Sequence, residues 1–163
     1  MSTGKGMADQ EQEIPLDSIP NASHWLVDCY GCDRDRLDPA DQLEQLLIRA
    51  ADRGNLSVLR SQRHQFHPQG ATVLLLLSES HLSLHTWPER GYAALDLFTC
   101  GDRADPAAAC QTVLEFLAPT HHHAQQILRP MAIAPGTQPG TNPISRSISN
   151  VSLNSTSTII KFN

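Results

Sequence analysis

Along the middle of the chain, apolar and polar residues alternate in short, well-separated segments. His24 to Tyr30 reads as a strand ended by Gly31. Leu43, Leu46, Leu47, Ala50 and Ala51 then fall at the spacing of one helical face. Asp38-Pro39 opens that helix, with Asp as cap and Pro in the first helical position, and Gly54 stops it. Leu56 to Phe66 alternates loosely and predicts a second strand. Thr72 to Leu77 predicts a third, apolar at nearly every position and so expected to be buried on both faces. The polar triplet Ser78-Glu79-Ser80 interrupts it. A fourth strand follows, with Leu82 and Leu84 alternating against His81, Ser83 and His85. Pro88 to Gly91 marks a turn, and Tyr92 to Thr99 a fifth strand. Asp105-Pro106 repeats the helix-opening pair ahead of Ala109, Val113, Phe116 and Leu117, and His123 to Leu128 closes the pattern as a strand.

The expected order is therefore β-α-β-β-β-β-α-β. The short links among the middle strands imply hairpins, because parallel neighbours need crossovers of about a dozen residues or more. The economical architecture is α+β: a two-layer sandwich in which an antiparallel β-sheet carries two helices on one face. The other face must then meet water, a ligand or a second subunit.

Composition trims this picture at both ends. Residues 1–20 are polar and acidic, and 135–163 are rich in Gly, Pro, Ser, Thr and Asn, so both are expected to be unstructured tails around a domain at 21–134. Ile159, Ile160 and Phe162 are apolar residues with no evident docking place. A net charge of -5 without runs of like charge disfavours nucleic acid and anionic membrane as partners. The longest apolar run, Val73 to Leu77, is far short of the roughly 20 residues that span a bilayer. Acidic residues soon after Lys5 do not suit a signal peptide, so a cytoplasmic location is expected. Cys29, Cys32, Cys100 and Cys110 are then expected as free thiols. A lone C-x-x-C pair at Cys29 and Cys32 is weak ground for a redox or zinc role, and burial is the expected state.

Chemistry concentrates in residues 78–102, where Glu79, Ser80, His81, His85, Trp87, Glu89, Asp96, Cys100 and Asp102 crowd into neighbouring strands and one turn. A hydroxyl, two imidazoles and a thiol so placed are candidates for nucleophilic and proton-transfer chemistry. Ser80 and His85 have opposite parity, so a continuous strand would point them to opposite faces. A tight turn at Ser78 to Ser80 is the expected means of letting Ser80 face His85 and Cys100 together.

The stretch Glu79-Ser80-His81-Leu82-Ser83-Leu84-His85-Thr86-Trp87-Pro88-Glu89, with Gly91 to Asp102, closely resembles the prokaryotic S-adenosylmethionine decarboxylase proenzymes. His24 to Cys32 and Phe66-His67-Pro68-Gln69-Gly70 extend the resemblance over roughly residues 20–130. It implies that Ser80 attacks the Glu79 carbonyl, that the resulting ester is eliminated, and that residue 80 becomes a covalent pyruvoyl group. A β chain, 1–79, and an α chain, 80–163, would result. The pyruvoyl would hold substrate as a Schiff base, replacing pyridoxal phosphate; neither PLP nor a metal is expected. The resemblance makes His85 the base that removes the Ser80 α-proton, Thr72 its support in processing, and Cys100 the later proton donor. It assigns Phe66, Trp87 and Glu89 to the substrate, through adenine and sulfonium, pocket wall and ribose respectively.

His24 and His81 receive no role, and His121-His122-His123 is expected to be a solvated loop. The same resemblance implies a homodimer, (αβ)2 after cleavage, whose sites draw on both subunits, and decarboxylation of S-adenosylmethionine for spermidine synthesis. Arginine or ornithine decarboxylation, or a non-catalytic paralogue, are the alternatives.

Overall fold

Alternation at period two builds one sheet, and two amphipathic helices cover one of its faces. The computed structural model describes residues 22–129 and 145–148. In chain order the elements are β1 (Ala22–Tyr30), α1 (Arg34–Leu37), α2 (Ala40–Arg53), β2 (Val58–Gln65), β3 (Ala71–Leu77), β4 (Ser80–Trp87), a 3-10 turn (Pro88–Arg90), β5 (Tyr92–Cys100), α3 (Pro106–Leu117), β6 (His121–Arg129) and β7 (Ser145–Ile148). The sheet runs β2-β3-β4-β5-β1-β6-β7 with every pairing antiparallel. The middle strands join as hairpins, and β1 lies between β5 and β6 in unbroken register.

The core lies between the sheet and α2 and α3. Leu43, Leu46, Leu47, Val113 and Leu117 from the helices meet Val27, Val73, Leu75, Leu82, Leu84, Leu95 and Leu97 from the strands. A fully buried leucine contributes about 2 kcal/mol. Both helices face this layer, as the α+β sandwich requires. Among the described residues no helix is long and apolar enough to cross a membrane.

Several local expectations change. The long helix starts at Ala40, not at Pro39, and Asp38 does not cap it. The Asp38 carboxylate instead accepts from Gly70 N–H and the Gln65 amide, and Gln65 Oε1 takes the Ala40 N–H at 3.0 Å. A residue 25 positions away thus does the capping, which no local pattern reveals. Asp105 does cap α3, accepting from Ala108 N–H, with Pro106 in the first turn.

β3 is not buried on both faces. Val73, Leu75 and Leu77 are buried, but Leu74 and Leu76 are 43% and 48% exposed, because the helices cover one side only. His121 to His123 is no loop: it is the start of β6, paired with Tyr30 to Asp28, and the His121 ring stacks on Tyr30. Within the segment read as a structureless tail, Ser145–Ile148 pairs with Ala124 to Ile127. Backbone pairing of an edge strand needs no apolar composition, so the compositional reading could not anticipate it. The remainder of both tails, including Ile159, Ile160 and Phe162, lies outside the described residues.

Candidate active site

The β3–β4 hairpin turns on Ser78 and Glu79, with Leu77 opposite Ser80. Ser80 has φ 151°, a region that side chains bearing a Cβ rarely adopt and that stores backbone strain. Remote groups hold this turn. Ser78 N–H donates to Ser57 O at 3.0 Å. Ser57 returns two bonds to the Glu79 carboxylate, from its N–H at 3.0 Å and its hydroxyl at 3.1 Å. Burial acts to raise the Glu79 carboxyl, but the bonds from Ser57 and the Arg103 charge outweigh it, leaving the group below the ordinary carboxylate range.

From β5 the Cys100 thiol donates to the Glu79 carbonyl oxygen at 3.2 Å. A donor on that oxygen polarises the carbonyl of the Glu79–Ser80 peptide bond and faces the charge that a nucleophilic attack would develop. The Ser80 hydroxyl and His81 Nδ1 lie 3.4 Å apart.

The far end of β4 is built otherwise. The Thr72 hydroxyl, opposite His85 on β3, lies 2.8 Å from His85 Nδ1 and fixes the imidazole. The His85 and Trp87 rings lie 6.4 Å apart, and Trp87 packs toward Tyr92 at 5.3 Å. Phe66, nearly half exposed, stands edge-on to His64. Glu89, in the 3-10 turn, accepts from the Gln69 amide, whose oxygen accepts from Arg34.

The expected site residues therefore fall into two groups. Glu79, Ser80 and Cys100 gather at the turn, whereas Thr72, His85, Trp87, Glu89 and Phe66 lie toward the opposite end of the hairpin. Five residue steps along the strand separate Ser80 from His85, a span of ~16 Å. The turn brings the Glu79 carbonyl to Cys100 but leaves Ser80 apart from the His85 of its own chain. The reason is β4 itself, which pairs regularly with β3 from Ser80 to His85 and contains no bulge that would fold it back.

Residues without an expected role surround the turn group. His24 lies 3.6 Å from Asp96, edge-on to His81 and Phe98, and Arg129 caps the Phe98 ring at 4.7 Å. Adjacency to Ser80 was a sequence signal for His81. Ser57 had none, since its contact arises where two loops meet. Cys29 and Cys32 are buried free thiols. A hydrogen bond to Cys29 holds Cys32 below the usual thiol range, and the same bond pushes Cys29 up. Among the described residues no group of three or more His, Cys, Asp or Glu is arranged to hold a metal ion.

Residues 23–130 match the family model described as S-adenosylmethionine decarboxylase. The chain is 44% identical over 113 residues to the S-adenosylmethionine decarboxylase proenzyme of Synechococcus sp. WH7803, covering 68% of this chain and 88% of that one. It is 48% identical over 106 residues to the proenzyme of Brevibacillus brevis, covering 65% and 80% respectively. The crystal structure of the adenosylmethionine decarboxylase from Aquifex aeolicus superposes with a TM-score of 0.67 at 36% identity, over 74% of this chain and all of that one. With a hairpin that presents a Glu-Ser bond to a thiol and a matching sequence over its whole described core, the chain belongs to the S-adenosylmethionine decarboxylase family.

Proposed function

We propose that the chain is a proenzyme that cuts itself between Glu79 and Ser80, converts Ser80 to a pyruvoyl group, and decarboxylates S-adenosylmethionine to an aminopropyl donor for polyamine synthesis. The observation that carries this reading is the contact between the Cys100 thiol and the Glu79 carbonyl in a strained hairpin. Attack by Ser80 Oγ on that carbonyl closes a five-membered ring, and breaking the C–N bond leaves an ester. Removal of the Ser80 α-proton then expels the Glu79 carboxylate, and hydrolysis of the resulting dehydroalanine releases ammonia and leaves the pyruvoyl.

The residues suit a group made in place: Ser80 supplies its atoms, and Glu79 and Cys100 are fixed on either side by hydrogen bonds. Once formed, the pyruvoyl supplies an electron sink for loss of carbon dioxide. Cys100, already beside residue 80, is placed to return a proton to the product carbon. Phe66 offers a ring face to a sulfonium, a contact of roughly 0.5–2 kcal/mol. Glu89, oriented by Gln69, presents two acceptor oxygens to ribose hydroxyls. These groups favour a nucleoside substrate over arginine or ornithine, which need neither. Four free thiols suit a reducing cytoplasm.

The separation of Ser80 from His85 supports a homodimer. The helix-free face exposes Leu74, Leu76, Tyr30, Phe66 and Trp87, apolar side chains of the kind that a partner surface covers. A two-fold axis across the middle of β4, near Leu82 and Ser83, would run the two copies of this strand antiparallel across a sandwich with sheets ~10 Å apart. His85 of each copy would then approach Ser80 of the other, and the Thr72 hydroxyl would keep its ring aimed. This pairing gives (αβ)2 after cleavage.

Intact mass under denaturing conditions tests the first step. Two chains, 1–79 and 80–163 with the latter blocked by pyruvoyl, are expected; a persistent full-length mass defeats the proposal. Trapping carbon dioxide from S-adenosylmethionine, arginine and ornithine in parallel tests the substrate, with turnover of the nucleoside alone expected.

A further inference from the structure

Self-cleavage needs two proton transfers at two different atoms. The first takes the proton from the Ser80 hydroxyl as it attacks Glu79, and the second takes the proton from the Ser80 α-carbon. His85 serves the second. It has no contact with the Ser80 hydroxyl in its own chain, where β4 holds it ~16 Å away.

We infer that His81 is the base of the first step: its Nδ1 takes the Ser80 hydroxyl proton and passes it to the leaving amide nitrogen. The inference rests on the self-processing reading above and adds a catalytic residue to it. The Nδ1–Oγ separation is 3.4 Å, long for a ground-state hydrogen bond but common for a catalytic pair that tightens as the reaction proceeds. His81 follows Ser80 directly and begins the open-face alternation of β4, so the strained turn that lifts the hydroxyl also swings it toward this ring.

Neighbouring rings hold the imidazole in place. Phe98, its partner across β5, lies 5.9 Å away and His24 stands edge-on at 6.3 Å. Phe98 is itself pinned by Arg129 above its face. The carbonyl oxygen is held from the other side by Cys100. Nucleophile, base and oxyanion donor thus come from one chain and stand around one peptide bond.

The step balances without any added reactant. With its ring hydrogen on Nε2, His81 accepts the hydroxyl proton at Nδ1 as the Oγ–C bond to Glu79 forms. Cys100 steadies the negative oxygen. When the C–N bond breaks, Nδ1–H returns the proton to the Ser80 nitrogen. The products are an ester and a free amine, and His81 is regenerated.

The two bases predict different stalled species, which hydroxylamine distinguishes because it splits esters and leaves peptide bonds intact. Freshly made His85→Gln proenzyme should accumulate as full-length chain that hydroxylamine cuts at Glu79, since its first step still runs. His81→Gln proenzyme should remain full-length and resist hydroxylamine, with self-cleavage slowed roughly 100-fold or more. Added imidazole should restore part of the cleavage in His81→Ala, which no repair of folding alone would produce. A His81→Gln chain that forms the hydroxylamine-sensitive ester at the parental rate overturns the inference. So does a His81→Ala chain that melts like the parent, stays uncut and gains nothing from imidazole. If the parent splits on schedule, either failure is confined to His81. If the parent never splits, the self-processing reading falls with it.

Discussion

The two ends of β4 carry opposite kinds of construction. At the turn, short polar bonds from Ser57 and Cys100 clamp a strained backbone, and little is left to move. At the other end, Thr72 aims one imidazole and the rest is exposed aromatic surface with a carboxylate beyond it. The first arrangement suits bond-breaking in the chain itself, where a displacement of an ångström costs most of the rate. The second suits grasping a separate molecule. On the proposed chemistry the turn lacks the second base, and the distance to His85 is what a second copy of the chain would remove.

The largest effect should come from separating the two ends genetically. Ser80→Ala and His85→Ala should each abolish the split when made alone. Co-expressed, they form mixed dimers in which one site has Ser80 from one chain and His85 from the other. Mass spectrometry should then find cut chains carrying only the His85→Ala change. Absence of any cut chain from verified mixed dimers would place both ends of the reaction within one subunit. Next in size, Leu74→Arg combined with Leu76→Arg should turn the dimer to monomer on light scattering and stop cleavage at the same time. Monomers that still cut themselves would refute the shared site.

Within the turn, Cys100→Ala should lower decarboxylation by roughly 100-fold, the range for losing a positioned proton donor. Its cleavage should also slow, since the same thiol sits on the carbonyl to be attacked. At the other end, Thr72→Val keeps shape but frees the His85 ring. It should slow cleavage roughly 10-fold, as expected for one lost orienting hydrogen bond, while the melting temperature stays near that of the parent. Equal damage from Thr72→Val and Cys100→Ala would erase the distinction between an aiming residue and a reacting one.

Much of this comparison was legible in the residues, and the illegible part has a physical cause. Period-two and period-3.6 patterns are local, so the strands from β1 to β6 and both long helices could be read directly, as could the Asp105 cap. The motif around Ser80 likewise lies in one stretch of chain. Contacts set by tertiary approach could not be read. Gln65 caps α2 from 25 residues away, and Ser57 holds Glu79 from 22. The parity of Ser80 and His85 correctly implied a turn at Ser78 to Ser80. It did not imply that the turn would leave them apart, because parity describes direction and says nothing of distance along a strand. β7 escaped for a related reason: its pairing is a property of backbone, which composition does not encode.

The smallest predicted effect concerns His122, which lies outside both ends. It sits in β6 with its side chain buried, and its Nδ1 has no hydrogen-bond partner among the described residues. Burial first, and then the neighbouring His121 and His123, hold its proton affinity below the ordinary imidazole value. In the unfolded chain the ring binds a proton near its usual pKa of about 6.5. As pH falls below that value, the unfolded state gains a proton that the folded state refuses, so stability drops until the depressed folded pKa is reached. His122→Leu removes this term. Its melting temperature should fall less than the parent's between pH 7.5 and 5.5, by roughly 1–3 °C. Self-cleavage at pH 7.5 should be unchanged, because the residue faces the helices and not the open side of the sheet where His81 and His85 are found. Parallel acid sensitivity in variant and parent would show that the ring is proton-accessible in the folded chain and that β6 is looser there than its register implies.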